Sequence, residues 1–307
     1  KQDAVDWADK YLGENACAIV FKRQGEDRNV QKIAAPKITP IVTNRDMQSD
    51  FLTQIQQSEV KPIEPMFVNY QTDMSQFDVR DGIHVLYKKN EINDTFSLNY
   101  VFDTGTENDP TLGLAFDYLS YLGTEAMSAE QIASEMYDIA CSFSMRAGGN
   151  QCTISISGLS ENMPKAMEIV EGLIAGAVPD EAILGNLKQD ILKSRADAKL
   201  SQARNFGALQ LYMLYGEDYI RRTTLKNEDL LALGSQELIA AVQELLNKQH
   251  EVLYYGPMAE NQVRKYISDY HRAAEELAPL EESHPKLLRT DESSVILAQY
   301  DANQLYY

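Results

Sequence analysis

From Gly82 to Phe102 the apolar side chains come in two bursts, GIHVLYKK and TFSLNYVF, parted by polar residues around Asn93-Asp94. Short alternating runs broken by turn residues predict two strands. The spacing then changes to a helical one. Asp109-Pro110 followed by TLGLAFDYLSYL predicts a helix over Thr111 to Leu122, with proline at its first position, where the missing N–H costs nothing. Ser128-Ala-Glu-Gln131 has the form of a capping box and precedes Ile132, Met136, Ile139 and Ala140 at helical intervals. Ser142 to Ala147, a Gly148-Gly149-Asn150 turn and Gln151 to Gly158 predict a hairpin whose second strand, CTISISG, alternates with period two. Three helical stripes follow: Met163, Met167, Val170 and Ile174; Ile183, Leu184, Leu187 and Ile191; and Leu209 to Leu214. A helix over Leu238 to Leu246 and a strand and turn over His250 to Pro257 close the series. Antiparallel strands alternating with helix pairs predict an α+β class, an antiparallel sheet with helices packed on one face.

The flanks repeat parts of this unit. Ala4 to Tyr11 reads as the last turns of an amphipathic helix with Trp7 and Leu12 on one side, and Ala16 to Lys22 reads as a strand. WADKYLGENACAIVFK is therefore similar in layout to VQELLNKQHEVLYYGP, and SSVILAQYDANQLYY at the C-terminus begins like GIHVLYKK. The expected organisation is the end of a preceding domain over 1–29, a linker over 30–70, one complete domain over 71–260, a second linker over 261–292 and the start of a following domain over 293–307. Pro36, Pro40, Pro62 and Pro65 mark the first linker, which holds a short exposed helix within Asp46 to Gln57; glutamates and His284-Pro285 mark the second.

Charge narrows the function classes. With 28 basic and 46 acidic residues in 307, the net charge is −18, which argues against nucleic acid or an anionic membrane surface as the main partner. The longest apolar runs fall far short of a bilayer crossing, so no membrane insertion is expected. Cys17, Cys141 and Cys152 show no CxxC spacing, and Cys141 and Cys152 are out of register across the hairpin, so no pairing is expected. His84, His250, His271 and His284 fall in different elements without HxxxH or HxH spacing. They do not suggest a metal site within this chain, and His84 and His250 read as satisfied or edge histidines of strands. Asp103, Asp109 and Asp117 read as turn, cap and solvated-face residues. No phosphate-binding or nucleophile motif is present.

One passage carries a resemblance. GLAFDYLSYLGT, Gly113 to Thr124, followed by Met127 to Ile174, resembles the insulinase and pitrilysin family of zinc peptidases, the inverzincins, in the order of its helix, G-T turn, S-x-E-x-I helix, hairpin and SENMPKAM helix start. The resemblance covers nearly all of Gly82 to Pro257. Active domains of that family place two histidines and a glutamate on the first helix, where they hold zinc and its water. Carried over, those positions are Phe116, Leu119 and Ser120, so all three groups are lost. The distal glutamate would fall near Lys193 and Ser194; Asp190 and Asp197 do not match its register.

The resemblance implies a zinc-less domain from the non-catalytic half of a zinc endopeptidase. Such a half encloses and helps bind an unfolded peptide substrate for its catalytic partner half. It further implies no cofactor in this chain, zinc in the catalytic half, inactivity of this chain alone and, by family habit, a periplasmic location. Self-association through exposed strand edges is expected as well. The alternative is a non-peptidase structural or binding homologue, like a processing-peptidase partner or a respiratory core subunit.

Overall fold

The structure, a computed structural model, describes residues 2–13, 18–22, 25, 34–41, 43, 45, 47–280, 285–289 and 293–301. They divide into two compact units, Lys1–Pro65 and Met66–Tyr307. The first holds helix α1 (Gln2–Tyr11), where Trp7 and Tyr11 approach to 5.2 Å between ring centroids, and helix α2 (Asp50–Gln57), whose N-cap Ser49 accepts from Leu52 N–H. Neither helix buries a residue. Residues 18–22 form no strand, contrary to the sequence pattern, and Ile19 and Phe21 are exposed. A strand is stable only when another backbone meets its N–H and C=O groups, and among the described residues none does so here. Ala16, Cys17 and His284 lie outside the described residues.

The second unit opens with β1 (Ser75–Arg80), β2 (Ile83–Lys89) and β3 (Thr95–Phe102). It continues through α3 (Thr111–Leu119), α4 (Ala129–Asp138), β4 (Cys141–Ala147), β5 (Cys152–Leu159), α5 (Met163–Gly176) and α6 (Glu181–Lys199). Then come α7 (Gln202–Thr223), α8 (Asn227–Ala232), α9 (Ser235–Leu245), β6 (His250–Gly256) and α10 (Glu260–Tyr270). The sheet order is β1-β2-β6-β3-β5-β4. It is mixed where a purely antiparallel sheet was expected: β6 lies between β2 and β3, antiparallel to β3 and therefore parallel to β2.

Alternation decides which face is covered. Val85, Leu98, Tyr100, Ile154, Ile156 and Val252 point into the core, while their neighbours Ser97, Asn99, Ser155 and Ser157 line the other, half-open face. The helices pack on the apolar face. Ser128 and Gln131 make the expected capping box at α4. At α3, Pro110 occupies the N-cap and the Asp109 carboxylate accepts from Thr111 N–H at 2.8 Å, one position earlier than the sequence suggests. The hairpin pairs Cys141 with Gly158 and Cys152 with Ala147, so these two thiols are free, and burial pushes that of Cys152 up to about 12.

Three elements were not legible beforehand. β1 is an edge strand, α8 is one short turn and a half, and α10 occupies residues 260–270, where a linker was expected. α10 belongs to the core, because Val263 and Ile267 are fully buried and Arg264 lies 3.9 Å over the Phe77 ring. The helix expected around Leu209 to Leu214 exists as α7, but it buries no residue and bends at Gly216, which has φ 82°. Residues 293–301 form no strand, with Val295 and Leu297 exposed.

Gly158 carries a testable demand. Its φ is +152°, and a Cβ there would stand 2.4 Å from Ala140 O and 2.5 Å from Cys141 Sγ. Gly158→Ala is therefore expected to cost about 2 kcal/mol or more, read as a lower urea midpoint at unchanged slope.

Candidate functional site

The three positions singled out by sequence lie at the end of α3, which packs mainly on α9 and β4. Phe116 and Leu119 are fully buried members of the core. Ser120 is the exposed C-cap; its hydroxyl donates to Phe116 O at 2.9 Å. Phe116 and Leu119 therefore fill space in the core, and only Ser120 faces water.

The long helix α6 presents no carboxylate to this place. Lys193 and Asp197 pair with each other on the solvent side at 2.7 Å, and Ser194 and Asp190 are exposed. The inward residues are Leu184 and Lys188, and the Lys188 ammonium donates to Leu231 O at 3.0 Å and Leu233 O at 2.6 Å, closing the end of α8. Tyr118 ties α3 to α6, accepting from Asp180 N–H at 2.7 Å and donating to Asp180 O at 3.1 Å. Asp103 accepts from Gln151 and Asp117 is exposed, as their sequence contexts suggest, while Asp109 stands just before the Pro110 N-cap and accepts from Thr111 N–H.

A second constellation was invisible in the sequence. His271, just after α10, lies between Glu171 of α5 and His250 of β6. Its Nδ1 is 2.6 Å from Glu171 Oε1 and its Nε2 is 2.8 Å from His250 Nε2, all in the buried interior. His250 Nδ1 meets Lys248 O at 2.7 Å. A carbonyl only accepts, so Nδ1 carries the His250 proton, Nε2 is the acceptor, and His271 Nε2–H is the donor between the rings. Glu171 Oε2 accepts from Arg272 N–H at 3.1 Å. The Tyr100 ring stands 4.1 Å from that of His271, and burial beside the Glu171 charge raises its hydroxyl well above its ordinary pKa.

This row of groups is wired for a proton and poorly for a metal. Zinc would need each nitrogen at roughly 2.0–2.1 Å with the ion between them, and 2.8 Å between nitrogens fits a shared proton instead. Among the described residues no cluster of three or more His, Cys, Asp or Glu is arranged to hold a metal. His84, in contrast, sits on the half-open face of β2, an inner strand, and pairs with Asp78 of β1 at 2.8 Å, as a satisfied histidine does.

Comparison with solved structures gives the fold its relatives. The periplasmic protease PqqL from Escherichia coli superposes with a TM-score of 0.62 at 15% identity, over 95% of this chain and 30% of that one. A peptidase M16 inactive domain from Pseudomonas fluorescens gives a TM-score of 0.60 at 14% identity, over 69% of this chain and 54% of the other. The fold is that of M16 peptidase domains. A mutant of the ferredoxin protease FusC, in complex with Arabidopsis ferredoxin, gives a TM-score of 0.60 at 16% identity over 94% of this chain and 30% of its own. The M16-like chain thus spans about a third to a half of the length of these proteins. No protein-family model and no curated protein sequence matches it. The insulinase-like resemblance of Gly113 to Ile174 accordingly holds at the level of the fold, in an M16-like domain whose α3 interior is packed with apolar side chains. No helix among the described residues is long and apolar enough to cross a membrane.

Proposed function

We propose that this chain is a zinc-less domain, with its flanks, from the non-catalytic half of an M16-type zinc endopeptidase. Its role is to wall the chamber that holds an unfolded peptide while a catalytic half of the same protein cuts it. The observation that carries this reading is the filled interior of α3: Phe116 and Leu119 are core residues, and neither can ligate zinc or take a proton from its water. The likeness to an M16 inactive domain supports it. Coverage of nearly the whole chain by about 30% of two longer proteases supports the layout in which 1–29 ends one domain and 293–307 begins another. Zinc belongs to the catalytic half, and the periplasm is the compartment suggested by the PqqL likeness.

The test is complementation. This chain, extended to its natural half, is mixed with the separately produced remainder of its protein, and cleavage of an unfolded peptide is followed. The expected result is no cleavage by either half alone, cleavage by the mixture, and about one zinc per complex, carried by the other half. Zinc and cleavage in this half alone would overturn the reading. A mixture that assembles without any cleavage would favour a structural or binding homologue.

A further inference from the structure

The residues after α10 form a strap. Arg80 of β1 donates to Ala273 O at 3.0 Å and Ala274 O at 3.1 Å, Asn247 Oδ1 accepts from Ala274 N–H, and Ala278 exchanges backbone bonds with Asn247 and Gln249. At its start, the strap is fixed by the buried His271 ring, which touches α5 through Glu171 and β6 through His250.

We propose that the row Glu171–His271–His250 is a proton-operated latch that holds α10 and the 271–278 strap on the domain, and that acid opens this strap while the rest of the sheet stays folded. The geometry makes the row sensitive to one extra proton. The His250–His271 contact needs a bare Nε2 on His250, because Nδ1 already donates to Lys248 O. A second proton on His250 sets two N–H groups against each other at 2.8 Å and adds a positive charge with no free acceptor. From β1, the Arg80 guanidinium opposes that charge; from α5, Glu171 favours it but already serves His271 and Arg272 N–H; from β3, Tyr100 is neutral. Asp78, Asp81, Asp103, Glu251 and His84 line a cleft of about 370 Å³ together with His250.

The direction of the pH effect follows. Burial first, and the His271 charge second, lower His250 from 6.5 to about 4. An open strap returns the ring to its ordinary value, so between these pH values the open form binds the proton that the closed form refuses. Through His250, closure is fully supported above roughly pH 6.5 and weakens as pH falls toward 4; His271, which donates from both nitrogens and so keeps its proton in the closed form, works in the opposite direction and makes the net loss smaller.

Hydrogen exchange of the whole chain at pH 7 and pH 4.5, each normalised to an unstructured peptide, tests the latch. Amides within 260–278 are expected to lose protection by roughly 10- to 50-fold at the lower pH, the His250 effect reduced by the opposing His271 proton, while β3 and β5 keep theirs. His250→Gln, whose amide oxygen accepts from His271 yet takes no proton, is expected to abolish the difference. Equal strap protection at both pH values, loss together with β3 and β5, or loss in His250→Gln equal to that of the parent chain would each overturn the proposal. Should the variant not fold, imidazole nitrogen shifts of the parent chain serve instead. They are expected to show neutral His250 with the proton on Nδ1 at pH 7, titrating in step with strap opening; titration near 6.5 with the strap closed would refute the latch.

Discussion

Rebuilding an HxxEH helix by Phe116→His, Leu119→Glu and Ser120→His is expected to cost about 5 kcal/mol or more and to create no tight zinc site. Phe116 and Leu119 are fully buried on α3, which packs mainly on α9 and β4, so their loss removes apolar contacts worth roughly 2–5 kcal/mol each, and each newcomer brings a polar group into the core. Typical domains have only about 5–15 kcal/mol to lose. Ser120→His alone should be nearly neutral, because that position faces water. A zinc ion would also lack its third ligand, since α6 turns Leu184 and Lys188 inward. Urea unfolding with a zinc titration checks both statements. A stably folded triple variant holding one zinc tightly would show that α3 has not been committed to packing.

Glu171→Ala is expected to destabilise the domain by about 3–5 kcal/mol, the usual result of removing one partner from a buried charged pair. It strands two donors, His271 Nδ1 and Arg272 N–H, in the interior. Glu171→Gln keeps an oxygen for one of them and should cost about 1–2 kcal/mol. His271→Ala combined with Glu171→Ala should cost much less than the two single changes added together, because each removes the other's reason for being there. A double-mutant cycle by urea denaturation measures this directly; simple additivity would mean that the 2.6 Å contact contributes nothing.

What could be read from the chain was local. The Ser128–Gln131 box, the CTISISG alternation and the stripes of α5, α6 and α9 each state their structure within a dozen residues. β1 could not be read that way: it is an edge strand burying only Phe77, among charged neighbours. α10 holds just two buried residues in eleven, Val263 and Ile267, so its polarity resembles a linker. The apolar runs at 18–22 and 293–297 show the reverse case, a strand pattern without a partner backbone among the described residues. That Phe116 and Leu119 belong to the apolar face of a helix was legible because helical periodicity is itself local. The buried row was not, because 100 residues separate Glu171 from His271 and no spacing rule spans that distance.

The place of β6 also sets a timetable. Strand β6 is the last of the six to emerge from the ribosome, yet it lies in the middle of the sheet. Until residue 256 is available, β1–β2 and β3–β5–β4 are separate ribbons, each with an unsatisfied inner edge. Closing the sheet then joins segments more than 150 residues apart, a slow kind of step in which chain entropy must be surrendered before the contacts form. A half-made domain therefore offers two sticky borders to its neighbours, and its hazard during synthesis lies at the centre of the finished sheet, where the completed molecule shows no edge at all.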